Sequence, residues 1–118
     1  MAERDRGFLQ GTLDVLILKT LSWSPMHGYG IASWIERSTD DALKIEDGSL
    51  YPALHRMERK GLISFEWRIT ENGRRAKYYA LTDEGRGKLR RDARDWASFA
   101  EAVAKVLGRA GPPAAAEA

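Results

Sequence analysis

The hydrophobic pattern of this chain changes from a helical to an alternating period at Gly61, and this change limits the folds open to it. Before Gly61, Leu50, Leu54 and Met57 are spaced at i, i+4 and i+7, which places them on one buried face of a helix. After Gly61, apolar and polar side chains alternate over residues 62–69, which predicts a strand with one covered face. The apolar positions of that strand are Ile63, Phe65, Trp67 and Ile69.

Two more helices are predicted before this segment. Residues 12–23 are apolar on nearly every side, which indicates a central helix that ends at Ser24-Pro25. A second helix is predicted from about Gly28 to Arg37, and the polar residues 38–47 connect it to the third.

A β-hairpin is predicted after the third helix. Asn72-Gly73 indicates a turn, because this pair readily adopts positive φ, and residues 76–81 form the return strand. Three helices and a hairpin in this order predict a mainly α fold with a small β-hairpin, the winged helix-turn-helix.

A long terminal helix is predicted next, with Thr82 as its N-cap and the acidic Asp83 and Glu84 near the positive end of its dipole. Apolar residues then recur at the 3.5-residue period of a seam between two helices. They are Leu89, Ala93, Trp96, Ala100, Val103 and Leu107, and Phe99 widens the stripe. The stripe predicts a homodimer interface; the alternative is that the helix folds back on its own domain.

These elements divide the chain into three parts. Residues 1–82 form the winged helix-turn-helix domain, and residues 83–107 form a C-terminal dimerisation helix. Residues 108–118 have nothing to bury and are predicted to be a disordered tail.

Size and composition exclude several classes of protein. A chain of 118 residues allows one modest core, and it has no run of about 18 apolar residues that predicts a membrane span. Residues 1–6 have mixed charge and no apolar signal region follows them, so we expect a cytoplasmic protein. The absence of cysteine excludes disulfides, thiol catalysis and thiolate zinc sites.

The sequence lacks the motifs that indicate an enzyme active site. His27 and His55 fall on different predicted helices, with no acidic cluster at ligand spacing. No phosphate-binding glycine loop precedes a lysine, and no nucleophile motif occurs. We therefore expect no catalytic site, no cofactor and no metal.

Positive charge is concentrated in the middle of the chain. Residues 44–91 contain twelve Lys/Arg against seven Asp/Glu, whereas the segments on either side are net negative. A localised basic zone is typical of a DNA-binding protein. The alternative is a solvated charged surface.

The third helix has the properties of a recognition helix. Ser49 is its predicted N-cap, and Pro52 falls in the first turn, where its missing amide hydrogen has no helical partner. Gly61 is predicted to end the helix in a left-handed conformation. Such a helix presents its first turns to the major groove of DNA.

Specific DNA contacts are predicted for the side chains of this helix, and for three of them an alternative remains open. Ser49 either caps the helix or donates to a phosphate, and Tyr51 either contacts the DNA backbone or is a half-buried core residue. Pro52 and Ala53 offer an apolar contact to a thymine methyl group, and His55 and Arg56 reach base edges. The alternative for Arg56 is a solvated side chain.

Further contacts are predicted outside the third helix. Tyr29 touches the DNA backbone or packs in the core. Arg74, Arg75 and Lys77, at the hairpin tip, suit phosphate contact, which positions a protein without reading much sequence.

The four tryptophans are predicted to lie in two different environments. Trp96 is a dimer-interface residue or lines an effector pocket at the dimer centre, because flat aromatic side chains stack on planar ligands. Trp23, Trp34 and Trp67 are predicted to lie in the core.

Several motifs resemble those of the PadR family of transcriptional regulators, in its short form with a single C-terminal helix. The most specific is Gly48-Ser49-Leu50-Tyr51-Pro52-Ala53-Leu54. The others are Gly11-Thr12-Leu13-Asp14, Pro25-Met26-His27-Gly28-Tyr29, Gly61-Leu62-Ile63, Gly73-Arg74-Arg75-Ala76-Lys77-Tyr78-Tyr79 and Leu81-Thr82-Asp83-Glu84-Gly85. The likeness covers about residues 9–105.

The resemblance implies a dimeric repressor that binds a palindromic operator in double-stranded DNA and is released by a small hydrophobic or aromatic effector. It further implies that the third helix and the wing contact DNA, and that the last helix pairs with the partner subunit. The alternative function is a winged-helix protein-interaction module without sequence-specific DNA binding, since a fold alone does not fix function. DNA binding predicts a steep loss of affinity with added salt, and a protein interface a shallow one.

Overall fold

A computed structural model describes residues 3–112 of the chain. These residues form four helices and one two-stranded antiparallel sheet. The elements are α1 (Glu3–Leu21), α2 (Gly28–Ser38), α3 (Asp47–Arg59), β1 (Ile63–Ile69), β2 (Arg75–Leu81) and α4 (Asp83–Leu107). This order confirms the predicted fold class. Residues 113–118 of the predicted tail lie outside the described residues.

The core is formed where α1, α2 and α3 meet beneath the start of the hairpin. Its fully buried side chains include Ile17, Leu18, Ile31, Leu50, Leu54, Met57 and Ile63. Among residues 11–112, whose burial the structure describes, Thr20 is the one buried residue classed as polar, and its hydroxyl donates to the Leu16 carbonyl at 2.8 Å. The i, i+4, i+7 stripe of α3 is thus buried as predicted, which leaves the opposite side of α3 exposed.

The end of α3 and the start of α4 follow the predicted capping. Gly61 has φ of +77°, its N–H bonds the Glu58 carbonyl, and the Leu62 N–H bonds the Met57 carbonyl. This is the Schellman arrangement that satisfies the last carbonyl groups of a helix. At α4, the Thr82 hydroxyl accepts the Gly85 N–H at 3.0 Å. Both ends are therefore fixed by local hydrogen bonds.

The predicted start of α3 is wrong. The helix begins at Asp47, and its N-cap is Glu46, which makes no side-chain capping bond. Ser49 is therefore the third helical residue and Pro52 the sixth, beyond the first turn. Proline lacks the N–H that would bond the Gly48 carbonyl, so this helix has lost one internal hydrogen bond.

The face of β1 that was predicted to be covered is largely exposed. Ile63 is buried, but exposure rises along the strand to 37% at Phe65, 51% at Trp67 and 67% at Ile69. The reason is that only the first part of the hairpin packs on the helices. Trp67 is therefore not a core residue, and neither is Trp23, which is 63% exposed. Trp34, in contrast, packs against the core as predicted.

The terminal helix α4 occupies residues 83–107, as predicted, and extends away from the core. Leu89 packs against the core, and the helix passes α1 around Trp96 and Phe99. Residues 101–112 are all exposed. The fold-back alternative thus describes only the first part of α4. None of the helices in the described part of the chain is long and apolar enough to cross a membrane.

Candidate nucleic-acid interface

The exposed side of α3 presents four side chains that were predicted to contact DNA. Tyr51, Pro52 and His55 are exposed, as is Ser49 in the first turn. Leu50, Ala53, Leu54 and Met57 bury the other side and hold the helix in place. The predicted contact of Ala53 with a thymine methyl group is therefore wrong, because this side chain lies in the core. The polar side chains therefore project from a helix whose orientation is fixed by the core.

A cleft of about 430 Å³ lies where α2, α3 and β2 meet. Its lining consists of His27, Gly28, Tyr29, Tyr51, His55, Lys77 and Tyr79. Four of these residues were predicted to contact DNA from separate sequence motifs, and the fold brings them together. Tyr29 is 77% exposed, so the alternative that it packs in the core is wrong. Tyr51 is 46% exposed, which leaves its half-buried alternative open.

The Tyr51 ring is seated on Gly28 at the start of α2. A Cβ atom at position 28 would lie 2.8 Å from Cε1 of Tyr51 and 2.9 Å from its hydroxyl oxygen. Gly28 is itself buried, so the absence of a side chain there makes room for the ring. This contact fixes where α3 presents Tyr51 relative to Tyr29.

The role of His27 was not predicted from the sequence. Its Nδ1 accepts the Gly30 N–H at 2.9 Å, so the imidazole is the N-cap of α2. A neutral imidazole that accepts at Nδ1 carries its proton on Nε2 and is a donor there. The ring also meets Tyr78 edge-on, with 5.2 Å between centroids. Histidine directly before a predicted helix was the only available signal, and it is a weak one.

Arg56 does not extend into solvent, and the solvated alternative is wrong. Its guanidinium donates to Asp14 Oδ1 on α1 at 2.7 Å, and its side chain is only 22% exposed. The same contact ties the guanidinium to α1. The helical spacing could not reveal this, because Asp14 lies 42 residues earlier in the chain.

Lys77 does not lie at the hairpin tip. It is the third residue of β2, opposite Trp67. Its ammonium lies 3.4 Å from Glu58 Oε1 on α3 and 4.0 Å from the centroid of the Phe65 ring. Lys77 therefore links the wing to α3, and part of its charge is compensated.

Two arginines occupy the end of the hairpin. Arg74 belongs to the turn, where its N–H bonds the Thr70 hydroxyl, and Gly73 supplies the positive φ that the turn requires. Arg75 is exposed and begins β2. Its guanidinium carbon lies 4.5 Å from the centroid of the Trp67 ring, within the range of a cation–π contact. The exposed Trp67 thus restricts the conformations of Arg75.

A second cleft, of about 360 Å³, lies between α1 and α4. It is lined by Gly11, Thr12, Val15, Asp92, Asp95, Trp96 and Phe99. The Trp96 and Phe99 rings meet at right angles, with 6.3 Å between centroids. Asp92 pairs with Lys88 at 2.9 Å. Trp96 therefore lies both on the apolar stripe of α4 and in this cleft.

Comparison with known proteins agrees with this geometry. A sequence model described as the Transcriptional regulator PadR-like family matches residues 17–91. The transcriptional regulator Rv3488 of Mycobacterium tuberculosis is 31% identical over 103 residues, which are 87% of this chain and 90% of that protein.

Solved structures of PadR family regulators are similar over most of the chain. The one from Eggerthella lenta has a TM-score of 0.71 at 32% identity and covers 90% of each chain. The one from Clostridium difficile has a TM-score of 0.68 at 32% identity and covers 80% of this chain and 97% of that one. The chain therefore belongs to the PadR-like family of DNA-binding transcriptional regulators.

Proposed function

We propose that this protein is a repressor that binds a palindromic operator as a homodimer and is released when a small effector binds. The observation that carries the proposal is the convergence of Tyr29, Tyr51 and His55 on one cleft beside the exposed side of α3. Imidazole and phenol groups are donors that bind phosphate and base edges, and the lining of this cleft contains no carboxylate.

The contacts are divided between α3 and the wing. His55 and Pro52 face the base edges, and Ser49 lies in the first turn, close to the backbone N–H groups that favour a phosphate. Tyr29 and Tyr51 bind the DNA backbone on one side of α3. Arg74 and Arg75 bind it from the wing. Arg56 holds α3 against α1 and is no longer proposed as a base reader, and Lys77 holds α3 against the hairpin and is no longer proposed as a phosphate contact.

The homodimer is proposed to form through α4. Trp96, Val103 and Leu107 are 40%, 39% and 79% exposed in the single chain, and they lie on the stripe with the period of a two-helix seam. An exposed apolar stripe of this length is favourable only if a partner covers it. Two copies would place their α3 helices about 34 Å apart, which is one turn of DNA.

The effector is proposed to bind between α1 and α4. Trp96 and Phe99 offer apolar surfaces to a flat ring, and Asp95 favours a ligand that carries a positive charge. Because Trp96 also belongs to the proposed seam, a ligand beside it would change the packing of the two copies. The spacing of the two α3 helices would then no longer match the operator.

The first experiment selects duplexes from a random pool with the wild-type protein and measures their affinity at increasing salt. We expect an inverted repeat, and a loss of about 0.9 log units of affinity per log unit of salt for each phosphate neutralised. Sedimentation should show a dimer. Failure to enrich any repeat, together with a shallow salt dependence, would favour the protein-interaction module instead.

A further inference from the structure

The C-terminus of α3 and the N-terminus of α4 are hydrogen-bonded to each other, although the hairpin separates them in the sequence. Leu62 closes the Schellman arrangement of α3, and its carbonyl oxygen accepts the Thr82 N–H at 3.2 Å. The Thr82 hydroxyl lies 2.9 Å from the same oxygen and 2.7 Å from the Gly61 carbonyl oxygen. The residue that caps α4 is thus hydrogen-bonded to the residues that end α3.

We call the contact of Gly61 and Leu62 with Thr82 and Gly85 the joint. Gly85 allows the backbone of α4 to approach the Leu62 carbonyl group closely, because it has no side chain. A Cβ atom at position 85 would lie 2.1 Å from the Leu62 carbonyl oxygen and 2.7 Å from Leu81 Cδ1. The first of these neighbours is backbone, so it cannot rotate away. Any side chain at this position must therefore displace the start of α4 from the end of α3 by about 1 Å or more.

We propose that Gly85 and Thr82 determine the spacing between operator half-sites that the protein accepts. The inference rests on the proposed function, since it requires that α4 pairs two copies and that α3 reads DNA. In such a dimer each α3 is connected to its own α4 through this joint and through α1, which contacts both helices, so the joint occurs twice between the two reading helices. A displacement at the joint therefore occurs in both halves and changes the separation of the two α3 helices.

The expected displacement of the α3 helices is large enough to change which half-site spacing they fit. Successive base pairs are about 3.4 Å apart along the duplex, and each adds about one tenth of a helical turn. A displacement of about 1 Å at each of the two joints changes the separation of the α3 helices by up to about 2 Å, which is more than half of one base-pair step. The joint is thus a positioning element: it touches no base, but it determines which spacing both helices fit.

The chain offers a matched control within the same helix. Gly87 is two residues further along α4, and a Cβ atom there would meet only the ends of the Arg91 and Arg90 side chains, at 3.4 Å and 3.9 Å. These side chains are flexible, so Gly87→Ala leaves the joint unchanged. Thr82→Ser keeps the bridging hydroxyl, whereas Thr82→Val removes it, and this pair tests the joint without adding bulk.

The experiment measures the dimer geometry and the DNA preference of the full chain. Because the natural sequence has no cysteine, Lys60→Cys at the end of α3 gives one spin-label site per copy. The inter-label distance is measured by electron–electron double resonance. Affinity is measured on the inverted repeat selected by the wild-type protein and on the same half-sites moved apart or together by one base pair.

We expect Gly85→Ala to remain dimeric, to shift the inter-label distance, and to lose about ten-fold of the preference for the wild-type spacing. Thr82→Val should change both readouts in the same way, while Gly87→Ala and Thr82→Ser should match the wild type. If Gly85→Ala does not fold, the Thr82 pair decides. An unchanged distance and an unchanged ranking of spacings in a folded variant would overturn the inference. If the wild-type protein is monomeric or selects no repeat, the proposed function itself fails, and that result is distinguishable.

Discussion

Arg56 on α3 and Asp14 on α1 form a largely buried ion pair, with 2.7 Å between Nη2 and Oδ1. The two side chains are 22% and 16% exposed, so neither group is well solvated. Removal of one charged partner leaves the other desolvated without compensation. The pair therefore fixes α3 against α1, and α1 in turn lies against α4 beside Trp96.

Asp14→Asn should lower the free energy of unfolding by about 1–3 kcal/mol, because Arg56 loses its carboxylate but stays partly buried. Urea unfolding followed by circular dichroism measures the change. The control is Glu66→Gln, which breaks the exposed pair with Arg68 and should cost less than about 0.5 kcal/mol. Equal effects of the two variants would contradict the role of burial.

Arg56→Ala should destabilise the fold while the ranking of bases in the operator is preserved. His55→Ala, on the exposed side of the same helix, should instead relax the preference at one base pair by about 1–3 kcal/mol. The measurement is affinity for operator duplexes with single base-pair changes. A flattened base preference in a stable Arg56→Ala variant would restore arginine as the reader.

Arg75→Ala should weaken binding to all duplexes alike and lower the salt slope by about one. The reason is that the proposed wing contact is to phosphate, which carries no sequence information. Affinity for the operator and for random DNA, each at several salt concentrations, gives both quantities. Arg94→Ala, an exposed arginine on α4, should leave both unchanged. A loss confined to the operator would mean that Arg75 reads bases.

Local signals predicted most of the fold. The bounds of α4, its Thr82 cap and the Gly61 terminus of α3 depend on residues a few positions apart, and all three are confirmed. The N-cap of α3 was placed three residues late, at Ser49 instead of Glu46, because Ser49 is a good cap by type and Pro52 was expected in the first turn.

Contacts between distant residues were not predictable in this way. The partner of Arg56 is 42 residues away, and the partner of Lys77 is 19 residues away on another element. Alternation predicted the strand β1 correctly, but it could not show that the helices cover only its first residue, so Trp67 was wrongly placed in the core. The sequence therefore predicted which side chains belong to the candidate site. It could not predict that two of them, Arg56 and Lys77, form ion pairs with residues on other elements.

Stability should fall as pH rises above 10.0, and Tyr79→Phe should reduce this fall. Burial raises the pKa of the Tyr79 phenol from 10.0, and the negative charge of Glu58 and the nearby Tyr51 add to the effect. Above 10.0 the unfolded chain releases this proton while native Tyr79 still holds it, so rising pH favours unfolding. Urea unfolding at a series of alkaline pH values measures the slope. Tyr29→Phe, at an exposed tyrosine, should keep the wild-type slope.

Trp96→Glu combined with Val103→Glu should give monomers and abolish joint binding to the two half-sites of the operator. Both positions lie on the apolar stripe of α4, and two carboxylates there would be desolvated and would repel their copies in the partner. Sedimentation gives the mass, and fluorescence anisotropy gives the affinity for the operator. Binding to a single half-site should persist weakly, because each wing and each α3 are intact.

The control for this variant is Ser98→Glu combined with Ala102→Glu, which adds the same charge on the other side of α4. These positions are well outside the stripe on a helix of 3.6 residues per turn, so the control should remain dimeric. The loss of operator affinity in the first variant then reports the loss of pairing and not the added charge. A first variant that sediments as a dimer would show that the copies meet elsewhere, and the spacing of about 34 Å between the α3 helices would lose its basis.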